Sequence, residues 1–118
     1  MSSNRGILAL ALLLAPGLAQ AAEVACPAAQ GGAPLANVTL FDGPPEELAS
    51  LVPDDSTRDK NGDTRSTWDV SYIPQAGRTL YVQCDYGKAT APVTLKAEGV
   101  QSCAFVQHKD KTLSLTCR

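Results

Sequence analysis

The chain has 118 residues, ten Lys and Arg against twelve Asp and Glu, and a formal net charge of −2. This length supports one domain with a modest core. Scattered, mildly acidic charge argues against a nucleic-acid surface or an anionic membrane patch.

Met1–Ala21 has the three parts of a secretory signal. Arg5 supplies the positive start, Gly6–Ala15 the apolar run, Pro16 and Gly17 the helix break, and Ala19-Gln20-Ala21 the small-x-small cleavage site. The apolar run is too short to span a bilayer, so no membrane insertion is expected after cleavage. Export places residues 22–118, read as a single β-rich domain, in the periplasm or outside the cell. Thiols oxidise there, so Cys26, Cys84, Cys103 and Cys117 are expected to form two disulfides. Their spacing, beside a single histidine, resembles no zinc site.

The segment from Glu23 to Ala36 is rich in Ala, Gly and Pro and without period, an extended arm that needs Cys26 to hold it. Val38–Phe41 reads as a short strand. Asp42–Pro53 carries a helix signal. Proline and the carboxylates of Glu46 and Glu47 suit its first turn, and Leu48, Leu51 and Val52 share one face. Two turns do not persist alone in water, so this helix is expected to dock on a sheet. Asp54–Arg65 has no apolar residue and reads as a long loop.

From Ser66 the pattern changes to period two. Trp68, Val70 and Tyr72 alternate with polar neighbours. Strands follow at Thr79–Tyr86, Ala91–Ala97, Gln101–Gln107 and Thr112–Cys117, joined by turns short enough for an antiparallel meander. Aligning each hairpin on its turn sets Val82 against Leu95, Leu95 against Cys103, and Cys103 against Cys117. In the next row Cys84 meets Val93, Val93 meets Phe105, and Phe105 meets Leu115. A slip of one residue would put the whole set in water. Four cysteines allow three pairings. Cys103 and Cys117 fall on adjacent strands and can bridge directly, whereas Cys84 and Cys103 lie two strands apart, roughly 9–10 Å, beyond disulfide reach. The expected pairs are therefore Cys103–Cys117 and Cys26–Cys84.

No catalytic constellation emerges. His108 sits in a predicted turn without a nucleophile and orienting group around it. The neighbouring carboxylates Glu46 and Glu47, and Asp54 and Asp55, do not face one another across a substrate. Asp59, Asn61 and Asp63 have the spacing that opens a calcium loop. Thr64 stands where that loop needs Gly and Val70 where it needs Glu, so a solvated polar loop is the better reading. Neither a metal nor a cofactor is implied. Of the aromatic residues, Phe41, Trp68, Tyr72, Tyr86 and Phe105 fit apolar faces and are assigned to the core. Tyr81 falls on the opposite face, in one row with Lys96, Ser102 and Arg118 and next to Gln83. Tyr and Arg are enriched at protein contacts. Tyr81, Gln83, Lys96 and Arg118 are therefore the candidate partner-binding residues.

Cys26-Pro27, Leu40–Asp54, Thr67-Trp68-Asp69, Leu80–Gly87, Gly99–Cys103 and the final Cys117 together resemble a family of small secreted four-cysteine proteins of Gram-negative bacteria, named only after an enterobacterial locus tag. That family has no assigned activity; the resemblance implies the compartment and the cysteine framework. The strand around Tyr81, Cys84, Tyr86 and Gly87 is similar, over one strand, to periplasmic lysozyme inhibitors. The expected molecule is mainly β, a single antiparallel sheet or sandwich-like domain with one short helix and two disulfides. The expected function is non-enzymatic binding of a protein in the envelope, inhibiting or neutralising a hydrolase such as a lysozyme. The alternative is a structural or accessory envelope protein that binds glycan or an envelope complex.

Overall fold

The period-two segments become strands in the computed structural model, which describes residues 23–118. The predicted signal, Met1–Ala21, lies outside the described residues. The fold is mainly β, with antiparallel sheets, one short α-helix and two disulfides. In chain order the strands are β1 (Val24–Ala25), β2 (Ala29–Gln30), β3 (Ala33–Pro34), β4 (Asn37–Asp42), β5 (Ser50–Leu51), β6 (Asp55–Arg58) and β7 (Thr64–Asp69). After helix α1 (Tyr72–Gln75) come β8 (Leu80–Asp85), β9 (Val93–Ala97), β10 (Ser102–Gln107) and β11 (Leu113–Cys117). They assemble as a five-stranded sheet in the order β1-β11-β10-β7-β6, a four-stranded sheet in the order β5-β4-β8-β9, and a β2-β3 ribbon.

Four of the six expected cross-strand pairs are present. Val82 pairs with Leu95 and Cys84 with Val93 across β8 and β9. Cys103 pairs with Cys117 and Phe105 with Leu115 across β10 and β11. The continuous meander is not. β10 leaves β9 and pairs along its whole length with β7, Ser102 to Asp69 through Gln107 to Thr64. The expected contacts of Leu95 with Cys103 and of Val93 with Phe105 therefore do not form as a ladder. The physical reason is the apolar face. One continuous sheet would leave its row of Val, Leu and Cys side chains with nothing to cover it, whereas two layers cover each other. The crossing occurs at Glu98-Gly99-Val100, where Gly99 takes a positive φ of 73° and Val100 plugs fully into the core.

The shared core joins Leu40, Leu80, Val82, Cys84 and Ala97 of the four-stranded sheet to Trp68, Cys103, Leu115 and Cys117 of the five-stranded sheet, with Val70, Ile73 and Val100 between them. Alternation then sends the intervening residues of each sheet outward, so the two outer faces look away from each other. The bridges divide the work. Cys103–Cys117 links neighbouring strands of one sheet, with Cα atoms 4.0 Å apart. Cys26–Cys84, with Cα atoms 5.9 Å apart, ties the arm beside β1 to β8 and so fastens one layer to the other. The arm is further anchored by the Tyr86 hydroxyl, which donates to the Pro27 carbonyl at 2.6 Å.

Two segments differ from their sequence reading. Asp42–Pro53 is not a helix of two turns. A single 3-10 turn over Pro45–Glu47 ends at Leu48, whose φ of 61° is left-handed, and the chain returns as β5 to pair Leu40 with Leu51. The edge of β4 needs hydrogen-bond partners, and a short peptide that can supply them gains more as a strand than as an isolated two-turn helix. Leu48 and Val52, expected to dock, stand 80% and 83% exposed. The α-helix lies instead at Tyr72–Gln75, where Ile73 is buried and Tyr72 is 46% exposed, so Tyr72 is not a core residue. Asp54–Arg65 is not a structureless loop but the hairpin of β6 and β7. β6 is exposed along its length, and an edge strand bathed in water can be built wholly of Asp, Ser, Thr and Arg. Its turn is closed by Asp59, whose side chain accepts the Asp63 amide at 3.1 Å and whose carbonyl accepts the Gly62 amide at 3.1 Å.

Candidate functional site

The outer face of the five-stranded sheet is concave. Ala104 lies on it, a small side chain paired with Thr67 on one side and Thr116 on the other. Val106 comes next along β10, between Arg65 and Ser114 in the ladder. Small and hydroxyl-bearing residues thus floor a trough of about 540 Å³, and Arg65, His108 and Arg118 stand at its margin. The His108 ring Nε2 lies 3.2 Å from the Ser114 hydroxyl, and its Nδ1 lies 3.7 Å from Asp63. Arg118 holds Glu23 at 3.1 Å in an exposed pair. Around the turn end of the same sheet, a second groove of about 220 Å³ is lined by Arg58, Lys109, Lys111 and again His108.

The outer face of the four-stranded sheet has a different chemistry. Tyr81 lies between Phe41 of β4 and Lys96 of β9 in the ladder. Phe41 is buried although it is outside the shared core. Lys96 reaches Glu98 at 3.3 Å, and the Gln83 amide donates to Asp85 at 3.4 Å. At the end of this sheet Arg78 grips Asp42 with two bonds of 2.7 Å, and the pairing pushes the guanidinium further up from its ordinary value. Tyr72, close to the carboxylates of Asp42, Asp54 and Asp69, has its phenol pushed up, first by desolvation and then by those charges.

Of the four residues proposed from the sequence to share one face, Tyr81, Gln83 and Lys96 do so. Arg118 does not: it closes the trough on the opposite layer, where its backbone bonds Ser102. The row Tyr81-Lys96-Ser102-Arg118 depended on pairing β9 with β10, and the layer crossing separates its halves. Arg65, Thr67 and Ser114 went unnoticed in the sequence. Their signal was period two on three segments, legible only once β7 is placed beside β10. Contrary to the sequence reading of an isolated His108, the trough face sets Ser114, His108 and Asp63 in the order hydroxyl, imidazole, carboxylate, but the Asp63 carboxylate stands 3.7 Å from Nδ1, beyond hydrogen-bond length. Both faces offer a surface of hydrogen-bonding and charged groups.

Residues 28–118 match the model of the type VI secretion system Tli immunity protein family. The chain belongs to that family. No curated protein and no solved structure matches it. Membership makes it an immunity protein, the kind of partner that binds and neutralises a toxin effector. The match fits the small inhibitor-like family expected from the sequence, under a description that names neither a locus tag nor lysozyme. The matched segment includes three of the four bridging cysteines, and the bridges suit an oxidising compartment.

Proposed function

We propose that this Tli immunity protein acts in the periplasm, without catalysis of its own, and neutralises a hydrolytic effector by covering part of its surface. The family match over 28–118 carries the reading. Two bridges in a chain of this size support it, because a scaffold already rigid loses little entropy on docking. Contact residues are drawn from the outer faces: Tyr81, Gln83 and Lys96 on one layer and Arg118 on the other. Tyr81 has the anchor chemistry, an aromatic body beside the aliphatic stem of Lys96.

The test is protection. Type VI effectors from the same genome are directed one at a time to the periplasm of a susceptible cell, with and without this chain. Survival with one effector, together with a stoichiometric complex of the purified pair and loss of that effector's hydrolytic activity, is the expected result. Survival through destruction or modification of the effector would overturn non-catalytic neutralisation. Failure against every effector would remove the reading. Tyr81→Ala is expected to weaken the complex about tenfold or more.

A further inference from the structure

Among the described residues three large apolar side chains stand exposed, Leu48, Val52 and Tyr72, and all three lie around the short edge strand β5. Leu48 precedes the strand and Val52 follows it. The Tyr72 phenol lies within reach of the charges of Asp42 and Asp54. The Asp42 amide bonds the Ala49 carbonyl at 2.9 Å at one end of β5, and Asp54 follows Pro53 at the other. Leu48 is held out in a left-handed backbone, a conformation that a branched side chain adopts at a cost. Strain spent to keep a leucine in water points to a surface that is covered when the protein works. The edge itself is open. With Asp42 bonded to Ala49 and Leu40 opposite Leu51, alternation turns the Ser50 N–H and C=O away from β4, and neither has a backbone partner among the described residues.

We propose that the rim of β5 is where the effector docks, taken by an apolar side chain of the effector flanked by Lys or Arg. This rests on the neutralisation reading and adds the surface and the chemistry that it recognises. The charge of the rim selects the occupant. Residues 42–55 hold five carboxylates and no Lys or Arg. Arg78 engages Asp42, and Asp55 stands opposite Thr67 on the trough face. Glu46, Glu47 and Asp54 remain on the rim, exposed and without an ion pair among the described residues. A second copy of this chain would bring the same carboxylates, and an anionic lipid surface would be repelled by them. The rim is continuous with Tyr81, since Tyr81, Arg78, Glu47 and Pro44 line one hollow of about 260 Å³. One partner surface can therefore cover Tyr81 and reach Leu48.

Isotope-labelled, oxidised protein is titrated with a short peptide of Lys, Leu and Ser, with counterparts in which Glu replaces each Lys or Ser each Leu, and with phosphatidylglycerol vesicles. The first peptide is expected to shift the amides of Leu48, Ser50 and Val52 and to leave Ala104 and Thr116 unmoved. Both counterparts should bind about tenfold more weakly or worse. Leu48→Gly with Val52→Ser is expected to weaken the first peptide to the same degree, at an unchanged or higher denaturant midpoint, and to lose protection against the effector that the parent chain neutralises. A leucine with a merely structural role would lower the midpoint together with the binding. Shifts confined to the face of Ala104, equal binding of the Glu counterpart, or vesicles bound more tightly than the peptide would overturn the proposal. Full protection by the double variant would overturn the rim and leave neutralisation standing. A peptide mapped to the rim in a protein that protects against no effector would do the reverse.

Discussion

The two layers are held in different ways. The five-stranded sheet is braced from within, since Cys103–Cys117 joins strands that already share a ladder. The four-stranded sheet has no bridge of its own. It is fastened to its neighbour through Cys84, which reaches across to Cys26. The difference shows that similar covalent links can do unlike work. One shortens a hairpin of sequence separation 14; the other closes a loop of 58 and sets how the layers meet. Outer-face chemistry follows the same division. The internally braced sheet carries the trough lined by Arg65, His108 and Arg118, and the tethered sheet carries Tyr81, Lys96 and the Arg78–Asp42 pair beside Tyr72.

The sharpest way to break this comparison is to remove the bridges separately. Loop-closure entropy assigns about 4 kcal/mol to the longer loop and about 3 kcal/mol to the shorter. Cys26→Ser with Cys84→Ser is expected to lower Tm by roughly 15–30 °C. Amide exchange should accelerate first in β8 and β9. Cys103→Ser with Cys117→Ser should cost less and loosen β11 instead. Equal losses, or faster exchange spread evenly over both sheets, would show that the layers do not behave as separately fastened units.

A smaller effect sharpens the picture of the arm. The buried Tyr86 hydroxyl bonds Pro27 next to the inter-layer bridge, and burial pushes the phenol above its ordinary value. Tyr86→Phe is expected to cost about 1 kcal/mol in a denaturant melt. The sign of the pH effect follows from the raised value. The contribution is whole below the ordinary tyrosine range and is lost as pH rises through the folded value. The phenylalanine variant should therefore show a shallower loss of stability at alkaline pH. Unaltered alkaline behaviour would detach this hydroxyl from the stability of the arm.

Leu48 tests the tethered layer at its rim. It combines a left-handed backbone with a side chain in water, two costs that the fold does not recover. Leu48→Gly should raise stability by up to about 1 kcal/mol, read as a higher denaturant midpoint. A fall would reveal a packing role for this side chain.

The smallest effect lies at the start of α1. The Asp69 carboxyl is held below its usual range, first by the Ser71 hydroxyl and then by the Ser71 amide. A depressed value gives stabilisation that is present above the ordinary carboxylate range and fades as pH falls through the lower folded value. Titration followed at the Ser71 amide should have its midpoint below that of an unperturbed aspartate. A normal midpoint would remove the bond from solution.

Much of the strand content was legible. β8, β9, β10 and β11 lie within a residue or two of their predicted bounds, because alternation on a half-buried sheet leaves a direct trace in the order of Val, Leu, Cys and Phe. Polar strands leave no such trace. β6 has no buried side chain to mark it, so its hairpin with β7 could not be told from a loop. The false helix at Asp42–Pro53 has the complementary cause: Leu48, Leu51 and Val52 sit at helical spacing, but only Leu51 turns inward. The candidate face was half legible. Tyr81, Gln83 and Lys96 depend on one hairpin with a local turn, while Arg118 depended on which strand β10 would choose.

Local order alone determined the mainly β class, the hairpin registers and the inward rows of apolar side chains, since each is set by neighbours a few residues away. Only the tertiary structure decided that the chain folds into two layers, that β10 lies beside β7, and that Arg65 and Arg118, distant in the chain, line one trough. Those choices turn on covering apolar surface across the whole molecule, a free-energy comparison between alternative long-range pairings that no short window of residues contains.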